Sequence, residues 1–246
     1  DNADVEVRAR VGVCPQEIVL WERLTCLEQL QFIGQRYGLD GRAARQRGEQ
    51  LLEELDLVAK RNAQARALSG GMKRRLNLAM ALVHDPEIVV LDEAEAGLDP
   101  QSRIKVREYI QSLARRKTVI LTTHNMDEAD RVADRVAIID HGELLVLDTP
   151  EALKRSVGEG DVVEIDLAGL DDSNRRAVAA VEPLVSHVWL DEERRQLTVR
   201  ALNAVSALPT SLDALEVHGL QASDMRVRKN TLEDVFIQLT GRRLRE

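Results

Sequence analysis

The sequence predicts an α/β protein: a layered sheet interrupted by an all-helical stretch and followed by a small α+β appendage at the C-terminal end. Three observations predict it. Short apolar runs at Ile88–Leu91, Thr118–Leu121 and Val136–Ile139 alternate with helical stretches, the grammar of a layered α/β sheet. Residues 22–84 carry helical spacing throughout. After Gly158-Glu-Gly160 the pattern turns to β, α, β, β, α, β, the order of a ferredoxin-like unit. The expected division is therefore residues 1–154, with a helical part at about 22–84, and an accessory domain at residues 155–246.

Each element has its own reason. Val11–Val13 is a short apolar strand broken by Pro15. Leu24, Leu27, Leu30, Ile33 and Tyr37 recur at helical spacing until Gly38 stops them. Residues 42–60 read as a second amphipathic helix, with Leu51, Leu52, Leu55 and Val58 on its apolar face. A third helix opens at Ser69-Gly-Gly and ends at Asp85-Pro86. Ile88–Leu91 is the continuous apolar run of a strand buried on both faces. Then come a helix over 101–115, the strand 118–121, a short helix over 126–134, and a hairpin in which His141-Gly142 joins Val136–Ile139 to Leu144–Leu147. A connecting helix spans 148–157. The appendage is expected as strands 161–167, 185–190, 196–200 and 219–228, with helices over 172–181 and 204–215. A last amphipathic helix carries Leu232, Val235, Phe236 and Leu239.

Composition narrows the function classes. Hydrophobic residues make up 44% of the chain and charged residues 31%, an ordinary globular balance, while aromatics at 2% leave the core to Leu, Val, Ile and Ala. The net charge of −8 argues against a broad nucleic-acid footprint, which needs a basic face. Cys14 and Cys26 show neither metal-ligand spacing nor a disulfide framework, which fits a reducing cytosolic setting. No apolar run approaches the ~18–20 residues of a membrane helix. The chain opens on Asp1 within what reads as the middle of a domain, so it is expected to be a portion of something longer.

Two segments carry most of the chemistry. Ser69-Gly70-Gly71 opens a helix, where free N–H groups and the helix dipole attract an anion and glycines admit a phosphate to the main chain. A bare Ser-Gly-Gly is more often an ordinary N-cap; the strand pattern that follows reverses that preference. Asp92 and Glu93 end a buried strand, where carboxylates face the ligand crevice of an open α/β sheet. Asp92 is placed to hold Mg²⁺, directly or through water. Glu93 is placed to orient or deprotonate an attacking water in phosphoryl transfer. His124 ends the next strand, where it can hydrogen-bond a terminal phosphate; His84, His141, His187 and His218 lack such a setting. Gln16, just beyond Cys14-Pro15, can reach Mg²⁺-bound water, although a plain surface-loop glutamine is the blander account. The run Lys73-Arg74-Arg75 is expected to be a solvated helix face.

Taken in order, these residues resemble the nucleotide-binding subunit of ATP-binding-cassette (ABC) transporters, and most of all the drug and lipid exporter branch that includes daunorubicin-resistance ATPases. Val11-Gly-Val-Cys-Pro-Gln16-Glu is similar to that family's Q-loop, Leu68-Ser-Gly-Gly-Met72 to its signature motif, and Glu87–Glu93 to its Walker B strand. Ala96-Gly-Leu-Asp99-Pro is similar to its D-loop and Thr122-Thr-His124 to its switch histidine, while Thr231–Phe236 through Gly241 resembles the branch's tail. The resemblance implies an ABC ATPase domain, an incomplete P-loop NTPase core with a helical signature subdomain, using ATP and Mg²⁺. It implies catalytic roles for Glu93 and His124, metal contact through Asp92 and Gln16, and nucleotide contact through Gln16, Ser69, Gly70, Gly71, Met72 and Asp99. It also implies a second nucleotide-binding subunit whose ATP the signature would meet, and a transmembrane permease docked near Gln16–Thr25. The complex would lie at the cytoplasmic face of the cell membrane, with no nucleic acid involved.

Two departures from the family pattern stand out. No GxxxxGK[ST] phosphate loop occurs in the 246 residues. Ala94-Glu95 follows the catalytic glutamate where the family usually has Pro-Thr, and Glu95 is expected to add negative charge close to the polyphosphate. The expected function is the ATP-hydrolysing subunit of an exporter. The alternative is a non-catalytic cassette that donates only its signature motif to a partner's ATP site.

Overall fold

The computed structural model describes residues 7, 9–158, 160–167, 187–191, 195–201, 209, 212, 213, 215–217 and 222–241. They fall into two compact units, Asp1–Ala133 and Asp134–Glu246.

The first unit is built on a three-stranded parallel sheet, β1 (Val11–Cys14), β2 (Ile88–Asp92) and β3 (Thr118–Thr122), in that spatial order. Cys14 stands opposite Leu91, and Asp92 opposite Thr122. All three strands therefore end at the same edge. One face of the sheet carries Gly12, Cys14, Val89 and Leu91, all buried against the helices. The opposite face carries Val13, 56% exposed, and Ile120, 51% exposed. Parallel sheets are ordinarily covered on both faces, so half of this sheet presents an apolar surface with little packed on it.

The helical stretch forms α1 (Cys26–Arg36), α2 (Gly41–Glu54) and α3 (Gly70–Leu82). Thr25 and Glu28 make a capping box at the start of α1, Asp40 caps α2 by accepting from the N–H groups of Arg42 and Ala43, and Ser69 caps α3. Leu30, Leu51, Leu52, Leu76 and Leu82 are almost wholly buried and form the centre of a leucine-rich core. The helix expected over 42–60 stops at Glu54. Asp56 there takes φ +56°, a left-handed turn that an α-helix cannot continue, and residues 58–60 resume only as a 3₁₀ turn, with Val58 exposed. Beyond β2 come α4 (Pro100–Ala114), capped by Asp99, and α5 (Met126–Val132), capped by Asn125.

In the second unit, β4 (Val136–Asp140) pairs with β5 (Glu143–Asp148) as the expected hairpin rather than joining β3. His141 and Gly142 both take positive φ, as a two-residue type I′ turn requires. Next come α6 (Pro150–Ser156), β6 (Asp161–Leu167), β7 (His187–Asp191), β8 (Gln196–Ala201), β9 (Ala222–Arg228) and α7 (Leu232–Thr240). The four strands form an antiparallel sheet in the order β7-β8-β6-β9, with the first strand in sequence between the third and the fourth, as a ferredoxin-like chain arranges them. The helix expected over 172–181 lies outside the described residues, as does most of the one over 204–215. Arg228 forks onto Asp234 at 2.6 and 2.9 Å and reaches Glu164 at 2.7 Å, tying the start of α7 to β6. Burial alone pushes the Asp234 carboxyl up, but Arg228 and the Thr231 cap outweigh it and hold the group below its usual range. Asn230 donates to the carbonyls of Lys154 and Gly158, which joins α6 to the same compact unit. The compact units divide between Ala133 and Asp134, whereas the sequence expectation put a domain boundary at 154/155.

β1 runs so close to α3 that a Cβ on Gly12 would lie 2.1 Å from the Ala81 carbonyl oxygen and 2.8 Å from Pro86 Cγ. Gly12→Ala should therefore lower stability by about 1–3 kcal/mol. Gly41→Ala, whose new methyl would meet only the flexible end of Gln35, should be near neutral. Chemical denaturation of the two variants side by side checks this.

Candidate functional site

The shared strand register brings the expected residues to one place. β1 runs out through Cys14-Pro15 to Gln16, β2 ends in Asp92 and Glu93, and β3 leads through Thr122 to His124. This is the carboxyl edge of a parallel sheet, where the chain ends leave a crevice. Thr122 Oγ1 donates to Asp92 Oδ1, which fixes the Asp92 carboxylate across the strand pair. His124 Nδ1 lies 2.6 Å from Glu93 Oε1. A carboxylate oxygen only accepts, so Nδ1 donates and the ring is left to act through Nε2. Glu93 is mostly buried, with 17% of its side chain exposed, whereas 72% of the His124 side chain is exposed. The acid is thus anchored while the ring faces solvent.

Glu93 takes φ +50°, a left-handed conformation that a non-glycine residue adopts only when its surroundings impose it. Its N–H donates to the Thr122 carbonyl at 3.1 Å, and its own carbonyl accepts from Ala96 N–H at 3.0 Å. Further support comes from α3. Arg74, which the sequence places on a solvated face, is only 3% exposed. Its Nη2 donates to the carbonyls of Asp92 (2.6 Å) and Glu93 (2.7 Å), its Nε to that of Ala94 (3.1 Å), and its Nη1 to those of Pro15 (2.7 Å) and Gln16 (2.9 Å). Arg75 is buried too, and donates to the Leu55 and Asp56 carbonyls at the end of α2. The expectation fails because α3 is enclosed on several sides, and these two cations are spent on backbone acceptors rather than on water. Hydropathy could not reveal this; the clue was that two adjacent arginines sit in a helix otherwise rich in Leu and Ala.

Glu95 is also corrected. It does not extend toward a polyphosphate: it is 5% exposed and accepts from Arg107 Nε at 2.9 Å and Nη2 at 2.5 Å in a two-pronged pair. Ala94 beside it is buried.

Ser69 and Gly70, at the start of α3, are exposed. Ser69 Oγ accepts from Met72 N–H at 3.4 Å, and a Cβ on Gly70 would meet nothing within 4 Å, so the turn is open to an approaching anion. Gly71 faces inward, where a Cβ would lie 2.5 Å from Ser102 Oγ and 3.4 Å from Asp99 Oδ2. Asp99 accepts from Ser102 N–H at 3.0 Å, and hydrogen bonding from the Ser102 side chain first, then from that N–H, holds its carboxyl below the usual range. The signature-like turn and the Asp99 cap thus abut within one chain, while Met72 is half-buried. Gln16 is exposed, its backbone pinned by Arg74. Both cysteines are free and buried, and burial pushes the Cys14 thiol up. The arrangement offers a fixed carboxylate for a hard cation, a second carboxylate coupled to an imidazole, and an open N-terminal turn for a phosphate.

Among known proteins, the family described as ABC transporter matches residues 2–96. A daunorubicin resistance ATP-binding protein of Streptomyces coeruleorubidus is 37% identical over 98% of this chain and 76% of its own length. A linearmycin resistance ATP-binding protein of Bacillus subtilis (strain 168) is 32% identical over 98% of this chain and 78% of its own. A Nod factor export ATP-binding protein of Ralstonia nicotianae is 39% identical over 97% and 73%. Among solved structures, the ATP-binding subunit of an ABC transporter superposes with a TM-score of 0.56 at 26% identity, covering 63% of this chain and 65% of that one.

Two expected outcomes come from this geometry. Arg107→Met strands the buried Glu95 charge and should cost about 3–5 kcal/mol, most of it recovered in the double variant Glu95→Thr/Arg107→Met, as denaturant titration would show. Glu128, 3% exposed, accepts from Thr123 Oγ1 at 2.5 Å through one oxygen and has no partner for the other. Burial first, then the Glu95 and Glu93 charges, raise its carboxyl above the ordinary value. The folded state then holds more protons than the unfolded one, so stability falls as pH rises from the ordinary carboxylate value through the raised one. Glu128→Gln should remove that loss, with its advantage in melting temperature full at neutral pH and gone below the ordinary carboxylate range.

Proposed function

This chain belongs to the ABC transporter ATP-binding family, and we propose that it serves as the ATP-hydrolysing subunit of an exporter, working on a separate membrane permease. The observation that carries the reading is the convergence of Gln16, Asp92, Glu93 and His124 at one edge of the parallel sheet, with the strained Glu93 backbone clamped there. The names of its relatives, which concern daunorubicin, linearmycin and Nod factors, favour an amphiphilic cargo such as a drug or lipid.

Mg²⁺ with the triphosphate supplies charge neutralisation at the oxygens around the reacting phosphorus. Asp92 would hold that cation, directly or through water, with one carboxylate oxygen already fixed by Thr122. A single carboxylate suits Mg²⁺, which keeps phosphate and water oxygens for its remaining positions. Glu93 orients the attacking water and takes its proton. His124, bonded to Glu93 through Nδ1, keeps that carboxylate in register and offers Nε2 to the terminal phosphate. Gln16, beyond the end of β1, would sense the cation. The exposed Ser69-Gly70 turn, with Gly71, Met72 and Asp99 behind it, contacts the nucleotide of a second subunit, so that the nucleotide joins two cassettes and hydrolysis separates them.

Nucleotide also needs a lysine and a nest of backbone N–H groups at its β- and γ-phosphates. The apolar face at Val13 and Ile120 is where the element carrying them would pack. The permease would meet the exposed apolar side chains of Ile18, Val19, Trp21 and Phe32, of which Trp21 and Phe32 pack edge to face at 5.2 Å. No helix among the described residues is long and apolar enough to cross a membrane. The second reading, a cassette that lends only its signature motif, draws on the same exposed Ser69 turn; the site at Glu93 favours hydrolysis.

In the complete transporter reconstituted in vesicles, Glu93→Gln should lower vanadate-sensitive ATP hydrolysis at least ~100-fold while nucleotide still binds, the scale of losing a general base. Equal turnover in both proteins would remove Glu93 from the chemistry.

A further inference from the structure

We propose that Arg74 is the positioning residue that couples the Gln16 loop to the Glu93 turn. This rests on the hydrolytic reading above and goes beyond it, because Arg74 itself touches neither nucleotide nor water. Its guanidinium is planar and carries five N–H donors in a fixed fork. In this chain the fork meets five backbone carbonyls on two separate segments: Pro15 and Gln16 on one, Asp92, Glu93 and Ala94 on the other. The two segments are far apart in sequence, and the β1–β2 ladder that also joins them ends at Cys14 and Leu91, short of both.

Neither segment can shift alone without breaking charge-assisted bonds in a dry place, since Arg74 is 3% exposed. A displacement of Gln16 toward a cation therefore pulls on the carbonyl that defines the left-handed turn at Glu93. The same helix holds the signature-like turn at its N-terminus, so the first turns of α3 and then the hydrogen bonds of Arg74 link Ser69 to the Glu93 turn. Asn77, one turn further along α3, acts on one side only. It donates to Cys14 Sγ (3.3 Å) and Pro15 O (3.5 Å) and accepts from Val19 N–H (3.4 Å), with no bond to the Asp92–Ala94 segment. Arg74 and Asn77 thus form an internal comparison: one grips both segments, the other only the Gln16 loop.

Arg74→Lys and Asn77→Ala in the complete transporter separate the two cases. A lysine keeps the charge but brings three donors from one point, which cannot span both segments. Arg74→Lys should lower kcat at least ~10-fold with the ATP KM changed less than about threefold. Hydrogen exchange should show faster exchange of the Glu93, Ala96 and Leu98 amides together with that of Val19. Asn77→Ala should speed exchange at Val19 alone and leave kcat within about threefold. Wild-type kcat in Arg74→Lys, or unchanged protection at Glu93, Ala96 and Leu98, overturns the proposal. So does a rise in KM that accounts for the whole loss of activity. Glu93→Gln run alongside keeps the two readings apart: full turnover there refutes the hydrolytic assignment, whereas a dead Glu93→Gln with a normal Arg74→Lys refutes only the coupling.

Discussion

A single buried guanidinium sets the geometry at the carboxyl edge of the parallel sheet. Strands that end at a sheet edge leave carbonyl groups without ladder partners, and buried carbonyls must find donors elsewhere. Here the deficit is concentrated at Pro15, Gln16, Asp92, Glu93 and Ala94, and Arg74 answers all five. Each bond to a charged donor contributes about 1.5–3 kcal/mol. Those contributions are opposed by the cost of taking the cation out of water, so the arrangement is better understood as specifying a conformation than as adding stability. What it specifies is a tight, left-handed exit from β2 that a non-glycine residue would otherwise avoid.

The rest of the site follows from that exit. Because Glu93 turns back, its side chain meets His124 at the end of the neighbouring strand and its N–H remains on the Thr122 carbonyl. Asp92 stays in the ladder and is fixed by Thr122. Glu95, two residues on, is carried inward to Arg107, so an apparent surplus of negative charge becomes a neutral buried pair. Glu128 is the exception in this group: one of its oxygens is unsatisfied and its burial is unfavourable at neutral pH.

Much of this was legible in the chain. The alternation of apolar runs with helical stretches gave the parallel sheet, and the strand-end positions of Asp92, Glu93 and His124 put them at its carboxyl edge. The order of four strands after residue 160 matched the antiparallel sheet of the second unit, and Ser69 caps its helix where the sequence opened one. Misreadings arose where the partner of a side chain is remote in sequence. Arg74 and Arg75 looked solvated because a run of charge carries no mark of what encloses it. The end of α2 was missed because Leu55 and Val58 keep helical spacing, while the left-handed turn at Asp56 depends on Arg75 and Lys105 from other helices.

By itself, the sequence determined the residue types at each strand end, the local starts and stops, and a motif order specific enough to indicate the family. Those properties arise from near neighbours, through periodicity, caps and turns, and can be read along the chain. Only the tertiary structure decided which charges would be buried, which carbonyls lacked donors, and that one helix would supply the donors for two distant loops. Such choices depend on groups brought together by packing, and the energy of a buried polar group is set by what surrounds it rather than by what precedes it.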